Sequence, residues 1–326
     1  MSVLDGHTLA DALPRTSGWE LGGYLYGLEP LALPPQWLRH TPLPDAAQLA
    51  RVRAVLGNMA AAGNAPLPRP ADADEIDRIF WFRWISGHQM TFAVWQILSA
   101  VVDEASRPAA STGERLEALA GEACLLVRAY SLLLLYTGSP PREIYSRVIR
   151  GPMSRQHAGV SGSWARDYAP LRFLFRDKVD FGPGRQAQAL RHECALNQLV
   201  HEGVAAKLVP SGMSLLQSSN VNRGPSRLHR NTLLWLYDSI FLTTRAPVPY
   251  EVVVRQLVRR LHAAVLDLAS QGLNPDFAPS GHEEPPILRT AEVLLRKEAI
   301  TNTLLDLLAY VLEPRETAAC LLARAR

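Results

Sequence analysis

The sequence contains little cysteine, has almost no excess of either charge and lacks a long apolar run. Its three cysteines, Cys124, Cys194 and Cys320, form no CxxC or CxxCH pattern, which argues against the usual zinc sites and against c-type haem attachment. We expect small buried thiols in a reducing compartment. The net charge is only +3, from 34 basic and 31 acidic residues that are dispersed along the chain. We therefore expect no nucleic-acid partner.

Neither a signal sequence nor a membrane span is predicted. The N-terminus lacks the basic, apolar and small-residue order of a signal, and the longest apolar run, near 132–135, is far shorter than the ~20 residues of a span. We expect a cytoplasmic protein with no membrane partner. With 326 residues, 48% of them hydrophobic, the chain is long enough to bury a sizeable core.

Apolar residues recur at helical spacing along most of the chain, and no comparable strand pattern is found. Helices are predicted near 46–62, 74–106, 113–137, 186–209, 228–245, 249–271 and 286–312, with a short last one from about 315. Asp72 or Asp74 is expected to cap the second helix. Glycine and proline concentrate in the first 45 residues, and 138–184 is irregular. The sequence predicts an all-α protein with an extended N-terminal arm (1–45) and one helical domain (46–326).

His88 is the most informative residue of the predicted second helix. At ~100° per residue it shares one side of that helix with a set of mostly aromatic residues. These are Trp81, Trp84, Ile85, Phe92, Trp95 and Ser99. A titratable imidazole is therefore expected within a wall of rings. The alternative is a core histidine whose ring is hydrogen-bonded to a backbone carbonyl.

A second histidine, His201, lies on the predicted helix 186–209. His192 is nine residues earlier and is expected on the opposite, more mixed side of that helix. His201 shares its side with the apolar or small residues Leu190, Cys194, Val204, Ala205 and Leu208, so it is predicted to be the more buried of the two. An iron ligand beside a flat macrocycle needs small neighbours one turn away, and Cys194 and Ala205 meet that need. Two buried histidines on separate helices favour a haem pocket, although each alone is also compatible with a core residue.

On these residues the chain resembles the tryptophan 2,3-dioxygenases. The shared motifs occur in the same order and are Gly22-Gly23-Tyr24-Leu25-Tyr26, His88-Gln89, Ser161-Gly162, and His201 followed by Val204, Lys207, Leu208 and Ser218-Ser219. The resemblance implies a helical bundle that encloses haem, a distal first histidine and an iron-ligating second one. It also implies that the N-terminal arm reaches a neighbouring subunit's pocket. The substrate loop of those enzymes is replaced here by residues 211–220, and the interval between the histidines is shorter.

The chain is more similar to the haem-dependent L-tyrosine hydroxylases of bacterial natural-product pathways, which belong to the same superfamily. Those enzymes use hydrogen peroxide to convert tyrosine to 3,4-dihydroxyphenylalanine. A related 3-methyltyrosine hydroxylase attaches its haem through a His-x-x-x-Cys motif, whose cysteine position is Ala205 here. The resemblance therefore implies non-covalent haem b, with L-tyrosine and hydrogen peroxide as substrates and a homo-oligomer, expected to be a dimer.

The resemblance assigns the roles of the candidate residues. His201 would ligate iron, with His192 as the alternative ligand, while a carbonyl or carboxylate receives the second N–H of the ring. His88 would take a proton from peroxide and return it to the departing oxygen. Trp84, Trp95 and Ala205 would line the haem. The expected substrate contacts are Arg155 first and Arg150 second for the carboxylate, Ser219, Asn220 and Asn222 for the ammonium, and Tyr24 and Trp84 for the ring.

Two other functions are compatible with the sequence. A haem-dependent tryptophan or indole oxygenase would keep both histidines but depend on oxygen. A haem-free helical scaffold or binding protein would use the aromatic helix only as core and would purify without colour.

Overall fold

The structure is a computed structural model that describes residues 26–35, 67–107, 113–213, 227–278 and 284–312, together with the single positions 47, 50, 54 and 215. Its strands are β1 (Leu31–Leu33) and β2 (Thr243–Arg245). Its α-helices are α1 (Ala73–Ala105), α2 (Gly113–Thr137), α3 (Arg142–Ile144), α4 (Gly151–Gln156), α5 (Arg185–Leu208), α6 (Arg227–Ile240), α7 (Tyr250–Gln271), α8 (Ala291–Glu298) and α9 (Ile300–Leu312). A π-helix (Tyr145–Arg150) joins α3 to α4, and 3₁₀ turns occupy Gly162–Trp164, Arg166–Arg172, Leu174–Arg176 and Pro286–Arg289.

Helix α1 begins at the predicted cap and forms the centre of the fold. The Asp72 carboxylate accepts from the Glu75 amide at 2.8 Å, and the Glu75 carboxylate accepts from the Ala71 amide at 2.7 Å. Both bonds satisfy amides that the first helical turn leaves without partners. The expectation of one buried aromatic face was too narrow, because α1 is buried on most sides between Ile79 and Val102. Helix α1 is therefore a central helix, and its polar side chains need partners inside the protein.

Helix α2 packs against both α1 and α5. Gly87 of α1 faces Thr137 so closely that a Cβ atom would overlap it, and Gly138, just after α2, faces Val204 of α5 in the same way. By length and composition α2 is apolar enough to cross a membrane, but 67% of its most apolar window is buried inside the protein. Its composition is thus explained by its place between two helices.

A short parallel sheet was not predicted from the sequence. Strand β1 pairs with β2 in the register Leu31 with Thr243, and Leu31 and Leu33 are fully buried. The Gln256 side chain of α7 accepts from the Ala32 amide at 2.7 Å and donates to the Ala32 carbonyl at 2.8 Å. The end of the predicted arm is therefore part of the helical body. Three-residue strands give no measurable alternation in the sequence, because each contributes a single repeat of the strand pattern.

A fully buried ion pair attaches α7 to α1. Arg83 donates to the Asp267 carboxylate at 2.7 Å, and neither side chain is exposed. The hydroxyls of Tyr26 and Tyr136 also donate to Asp267, at 3.0 and 2.9 Å. The remaining Arg83 donors reach the Gly272 and Leu273 carbonyls. Every member thus has partners, as a buried charge requires.

The helical class is confirmed, and the predicted bounds of α1, α2, α5 and α7 are correct to within about a residue. Three expectations were wrong in detail. The helix predicted to reach residue 245 ends at Ile240 and is followed by β2. The predicted helix 286–312 is divided into a 3₁₀ turn, α8 and α9. The stretch 138–184, predicted to be irregular, contains short helices. Apart from positions 47, 50 and 54, the predicted helix 46–62 lies outside the described residues, as does the helix from about 315. The likeness to the tryptophan dioxygenase bundle and the enclosure of haem stay predictions.

Candidate functional site

His88 lies among aromatic rings contributed by two parts of the chain. Its ring stacks on Phe241 with centroids 4.4 Å apart and 22° between planes, and it lies 4.3 Å from the Trp84 ring. Phe92, one turn farther along α1, meets it edge-on at 6.3 Å. The predicted wall of rings is confirmed around His88, and Phe241 joins it from the segment between α6 and β2.

The hydrogen bond of His88 determines its tautomer. Its Nδ1 lies 2.7 Å from the Trp84 carbonyl, which can only accept, so Nδ1 carries the proton. Burial lowers the pKa of His88 from 6.5 to about 4, partly offset by this bond. At neutral pH the ring is thus uncharged and its Nε2 holds a free lone pair. The bond to a carbonyl agrees with the plain core alternative, but Nε2 makes no hydrogen bond within the described residues.

Gln89 holds the ring that stacks on His88. Its amide nitrogen donates to the Phe241 carbonyl at 2.9 Å and to the Glu29 carbonyl at 3.0 Å. Its amide oxygen accepts from Nε of Arg260 at 2.8 Å, and both side chains are fully buried. The Arg260 guanidinium also donates to the Glu29 carbonyl at 2.9 Å. A cross-linked network of α1, α7 and the segment before β1 therefore fixes the surroundings of His88.

His201 differs from its predicted environment. Its side chain is exposed, as is that of Ala205 one turn later, so the expectation of a buried His201 was wrong; His192 is exposed as well. Even so, burial by the surrounding protein lowers the pKa of His201, with Glu202 opposing the shift. The ring is therefore partly surrounded by protein while water still reaches it. The predicted carbonyl or carboxylate partner of this ring is not found within the described residues.

His192, the alternative ligand, is exposed and lies against the Glu292 carboxylate of α8. It therefore already has a protein partner on the side of α5 away from His201. Across the described residues, no group of three or more His, Cys, Asp or Glu side chains is arranged to hold a metal ion.

The two histidines lie at one level of the fold. His88 follows Gly87, which packs on Thr137 at the end of α2, while His201 is one turn before Val204, which packs on Gly138. Lys207 of α5 donates to the Gly138 carbonyl at 2.8 Å and anchors this end of the helix. Both α1 and α5 pack on α2. Both histidines thus lie near the same end of α2.

Further aromatic rings continue the α1 wall toward α5. Trp95 lies 5.2 Å from Tyr130 of α2 and 5.1 Å from Tyr168, and both tyrosines contact Phe175. The Phe175 carbonyl accepts from Gln198 of α5 at 2.9 Å. The indole N–H groups of Trp84 and Trp95 are buried and have no hydrogen-bond partner in the described part of the chain. Unpaired buried donors are costly, so they indicate an acceptor outside the described residues.

The candidate substrate arginines have different surroundings. Arg150 is half-buried, donates to the Met213 carbonyl at 2.9 Å and lies beside the Tyr145 hydroxyl, whose pKa it lowers against the effect of burial. Tyr145 in turn packs edge-on against Trp84 at 5.5 Å. Arg155 is exposed. The structure thus brings Arg150 to the rings around His88, whereas Tyr24, Ser219, Asn220 and Asn222 lie outside the described residues.

Sequence reasoning missed three residues of this site. Phe241, Tyr145 and Arg260 come from elements distant in sequence from His88, and helical spacing on one element gives no signal for contacts between elements. Gln89 was singled out only as part of a motif. Its polarity inside an apolar helix was the available signal, because a buried amide needs several partners.

Comparison with known families supports one part of the sequence prediction. Residues 38–193 match the family model described as SfmD 3-methyl-L-tyrosine peroxygenase, which is slightly less than half of the chain. The match includes His88, Trp84, Trp95 and Arg150 but ends before His201. No curated protein matches the chain. The similarity supports a relationship to tyrosine-modifying peroxygenases. Because the match does not include His201, the prediction that this residue ligates iron depends on the residues of α5 alone.

The residues present fit a haem group by their chemistry. His201 offers an uncharged, exposed nitrogen ligand, and the small Ala205 leaves room on the same face of α5. The opposite wall carries the rings of Trp84, Phe92 and Trp95 and two unpartnered indole donors. No cysteine stands at position 205, so the thioether attachment of a His-x-x-x-Cys motif has no counterpart there.

Proposed function

We propose that this chain is a haem-dependent peroxygenase that hydroxylates L-tyrosine at ring position 3 to give 3,4-dihydroxyphenylalanine. The observation that carries the proposal is the placement of His88 and His201 near the same end of α2, on the two helices that pack on it. The match to a tyrosine-derivative peroxygenase family supports the reaction class. A cytoplasmic homodimer acting in bacterial natural-product biosynthesis is part of the same proposal.

His88 is the acid-base group of the proposal. Its Nε2 lone pair accepts the proton of hydrogen peroxide, while Nδ1 stays bonded to the Trp84 carbonyl and keeps the ring in place. Because the pKa of His88 lies near 4, its protonated form is a strong donor that returns the proton to the departing oxygen. The Phe241 and Trp84 rings fix the plane of the imidazole.

His201 and the ring wall would hold the cofactor. His201 contributes the nitrogen ligand, Ala205 leaves space beside it, and Trp84 and Trp95 offer N–H donors to the cofactor or the substrate. When bound, haem supplies the iron chemistry that activates peroxide oxygen for transfer to the phenol ring.

Arg150 is the proposed carboxylate clamp. A planar guanidinium that already lies beside Tyr145, whose ring packs on Trp84, is positioned to bind an amino-acid carboxylate, and its charge complements that group. The earlier-ranked Arg155 stays a second candidate.

A second candidate substrate is 3-methyl-L-tyrosine. The description of the matching family names this molecule, which differs from tyrosine by one ring methyl group. A pocket discriminates one methyl group by only about 1–3 kcal/mol, so both substrates belong in the same assay.

The test is an absorption spectrum of the haem-supplemented protein before and after adding L-tyrosine and then peroxide, with product analysis. We expect a Soret band that is lost in His201→Ala, and a catechol product that is lost in His88→Ala. A colourless protein that takes up no haem contradicts the proposal and favours a helical scaffold. Oxygen-dependent conversion of tryptophan or indole would assign the chain to the other oxygenase class.

A further inference from the structure

A cavity of about 360 Å³ lies between the first half of α5 and the segment 174–181. Its body is apolar, with side chains from both elements facing each other. These are Leu174, Phe175, Val179, Phe181, Ala187 and Leu190. Apolar walls with a few charged groups at the opening are typical of small-molecule sites, and the volume lies within their usual range.

The charged groups at this cavity are two arginines and one aspartate. Arg176, Asp177 and Arg191 line it, and none of the three forms an ion pair within the part of the chain that the structure describes. All three side chains are exposed, so they stand at the opening of the cavity. Burial raises the pKa of the Cys194 thiol in the cavity wall, and the charge of Asp177 adds to that shift. One anion and two cations thus stand at the opening of one apolar space.

The backbone at Asp177 ends the 3₁₀ turn that carries Arg176. Asp177 has a φ of +53°, a left-handed conformation that aspartate adopts more readily than most residues. The amides of Asp177 and Lys178 close this turn on the carbonyls of Leu174 and Phe173. The turn brings Asp177 next to Arg176 at the cavity.

The far end of the cavity is separate from the His88 site. Leu190 and Arg191 lie roughly 16 and 15 Å along α5 from His201 at 1.5 Å per residue, whereas Gln198, which lines the near end, is one turn from His201. An aromatic ring held between Phe181 and Leu190 therefore lies at the end of the cavity away from the two histidines. The two sites share the Phe175 ring, which lines the cavity and contacts Tyr130 and Tyr168 of the ring wall.

We propose that this cavity is a second binding site for a zwitterionic aromatic amino acid. Arg176 and Arg191 bind the carboxylate, Asp177 binds the ammonium group, and the ring occupies the apolar space between Phe181 and Leu190. The proposal rests on the proposed function only for the expectation that such amino acids are the protein's ligands. The arrangement of one anion and two cations favours a zwitterion over a simple carboxylate.

The test is isothermal titration of the haem-loaded protein with L-tyrosine in the absence of peroxide. We expect two binding sites per chain. Arg191→Ala and Asp177→Asn should each weaken binding of L-tyrosine to the cavity at least tenfold and leave binding to the other site unchanged. Ala195→Trp, which fills the cavity from an exposed position, should abolish binding to the cavity. Arg185→Ala and Leu199→Trp are matched controls, because both residues are exposed on α5 and neither lines the cavity.

Two analogues test the recognition of each charge. Tyramine lacks the carboxylate and 3-(4-hydroxyphenyl)propanoate lacks the ammonium, so each should bind the cavity at least tenfold more weakly than L-tyrosine. A single site per chain, or two sites unaffected by Arg191→Ala, overturns the proposal. Weaker haem uptake in Arg176→Ala and Arg191→Ala would instead assign these cations to the haem propionates and also overturn it.

The same titration on haem-free protein separates this proposal from the proposed function. One site that is sensitive to Arg191→Ala is expected even if the protein takes up no haem. If the protein shows no haem chemistry but still binds L-tyrosine in the cavity, only the peroxygenase proposal is contradicted. If the protein is an active peroxygenase but does not bind L-tyrosine in the cavity, only the second-site proposal is contradicted.

Discussion

The two sides of the proposed haem site, the α1 wall around His88 and the α5 wall around His201, are built differently. On α1, the ring of His88 is bonded through Nδ1 and stacked on Phe241, and Gln89 fixes that stack through buried hydrogen bonds. On α5, His201 and Ala205 are exposed, and the His201 ring makes no hydrogen bond within the described residues. Protein contacts thus fix the histidine of the α1 wall, although the indole N–H groups of Trp84 and Trp95 have no partner there, whereas the α5 wall leaves its histidine without a partner in the described chain. Variants on the two walls should therefore affect different measurements.

The largest expected effect is on cofactor binding. His201→Ala should lower haem affinity by at least about 100-fold, because loss of a direct ligand exceeds the 10–100-fold cost of losing its supporting contacts. The free energy of unfolding of the haem-free protein should change by less than about 0.5 kcal/mol, since an exposed side chain loses little packing. Soret titration and chemical denaturation measure the two quantities.

His192→Ala is the matched control, because it removes an exposed histidine from the same helix. It should leave haem affinity unchanged. If His192→Ala removed haem binding and His201→Ala did not, the assignment of the ligand would be reversed.

Gln89→Leu tests the opposite wall and should act on stability. The substitution leaves Nε of the buried Arg260 without an acceptor and the carbonyls of Glu29 and Phe241 without the amide donor. Stranding a buried charge costs about 3–4 kcal/mol, so haem-free protein should lose that much unfolding free energy. Gln188→Leu, an exposed glutamine of α5, is the control and should change stability by less than about 0.5 kcal/mol. An equal loss in both variants would contradict the difference between the walls.

The sequence predicted the α1 wall better than the α5 wall for a physical reason. The side of α1 that carries Trp84, His88 and Phe92 follows from helical spacing, which is a local property of the chain. The exposure of His201 depends on what covers α5, and that is decided by segments far away in sequence. Leu190, Cys194 and Leu208 are buried as predicted, but Ala205 and His201 lie where no described segment covers the helix.

The other errors have the same origin. Strand β1 was assigned to an irregular arm because three residues carry no repeat, and its pairing with β2 joins positions 212 residues apart. Phe241 was expected within a helix, yet its position after α6 is what lets its ring stack on His88. Tertiary contacts, which no local pattern encodes, thus determine both the sheet and the last ring of the site.

A pH titration examines the α1 wall through His88. Its pKa is about 4 in the folded protein and about 6.5 when unfolded, so the unfolded state binds more protons between these values. The stability contributed by neutral His88 is therefore complete above pH 6.5 and is lost as the pH falls toward 4, by up to about 3 kcal/mol. The difference in unfolding free energy between the wild type and His88→Gln should follow this window. A difference that is constant from pH 7 to pH 4 would show that His88 titrates normally.

The smallest expected effect concerns the arginines at the end of the α1 wall. Arg150 lies beside Tyr145, which packs on Trp84, whereas Arg155 is exposed. Arg150→Ala should raise KM for L-tyrosine about tenfold, which is about 1.4 kcal/mol, with kcat changed less, because a carboxylate clamp contributes mainly to substrate binding. Arg155→Ala, on the same short helical segment, should change KM less than about twofold. Since Arg150 also donates to the Met213 carbonyl, Arg150→Lys is the companion variant, and it should recover part of the affinity by charge alone. If Arg155→Ala raised KM more than Arg150→Ala, Arg155 would be the first candidate for the carboxylate, as the sequence predicts. The substrate carboxylate would then lie away from the Tyr145 ring.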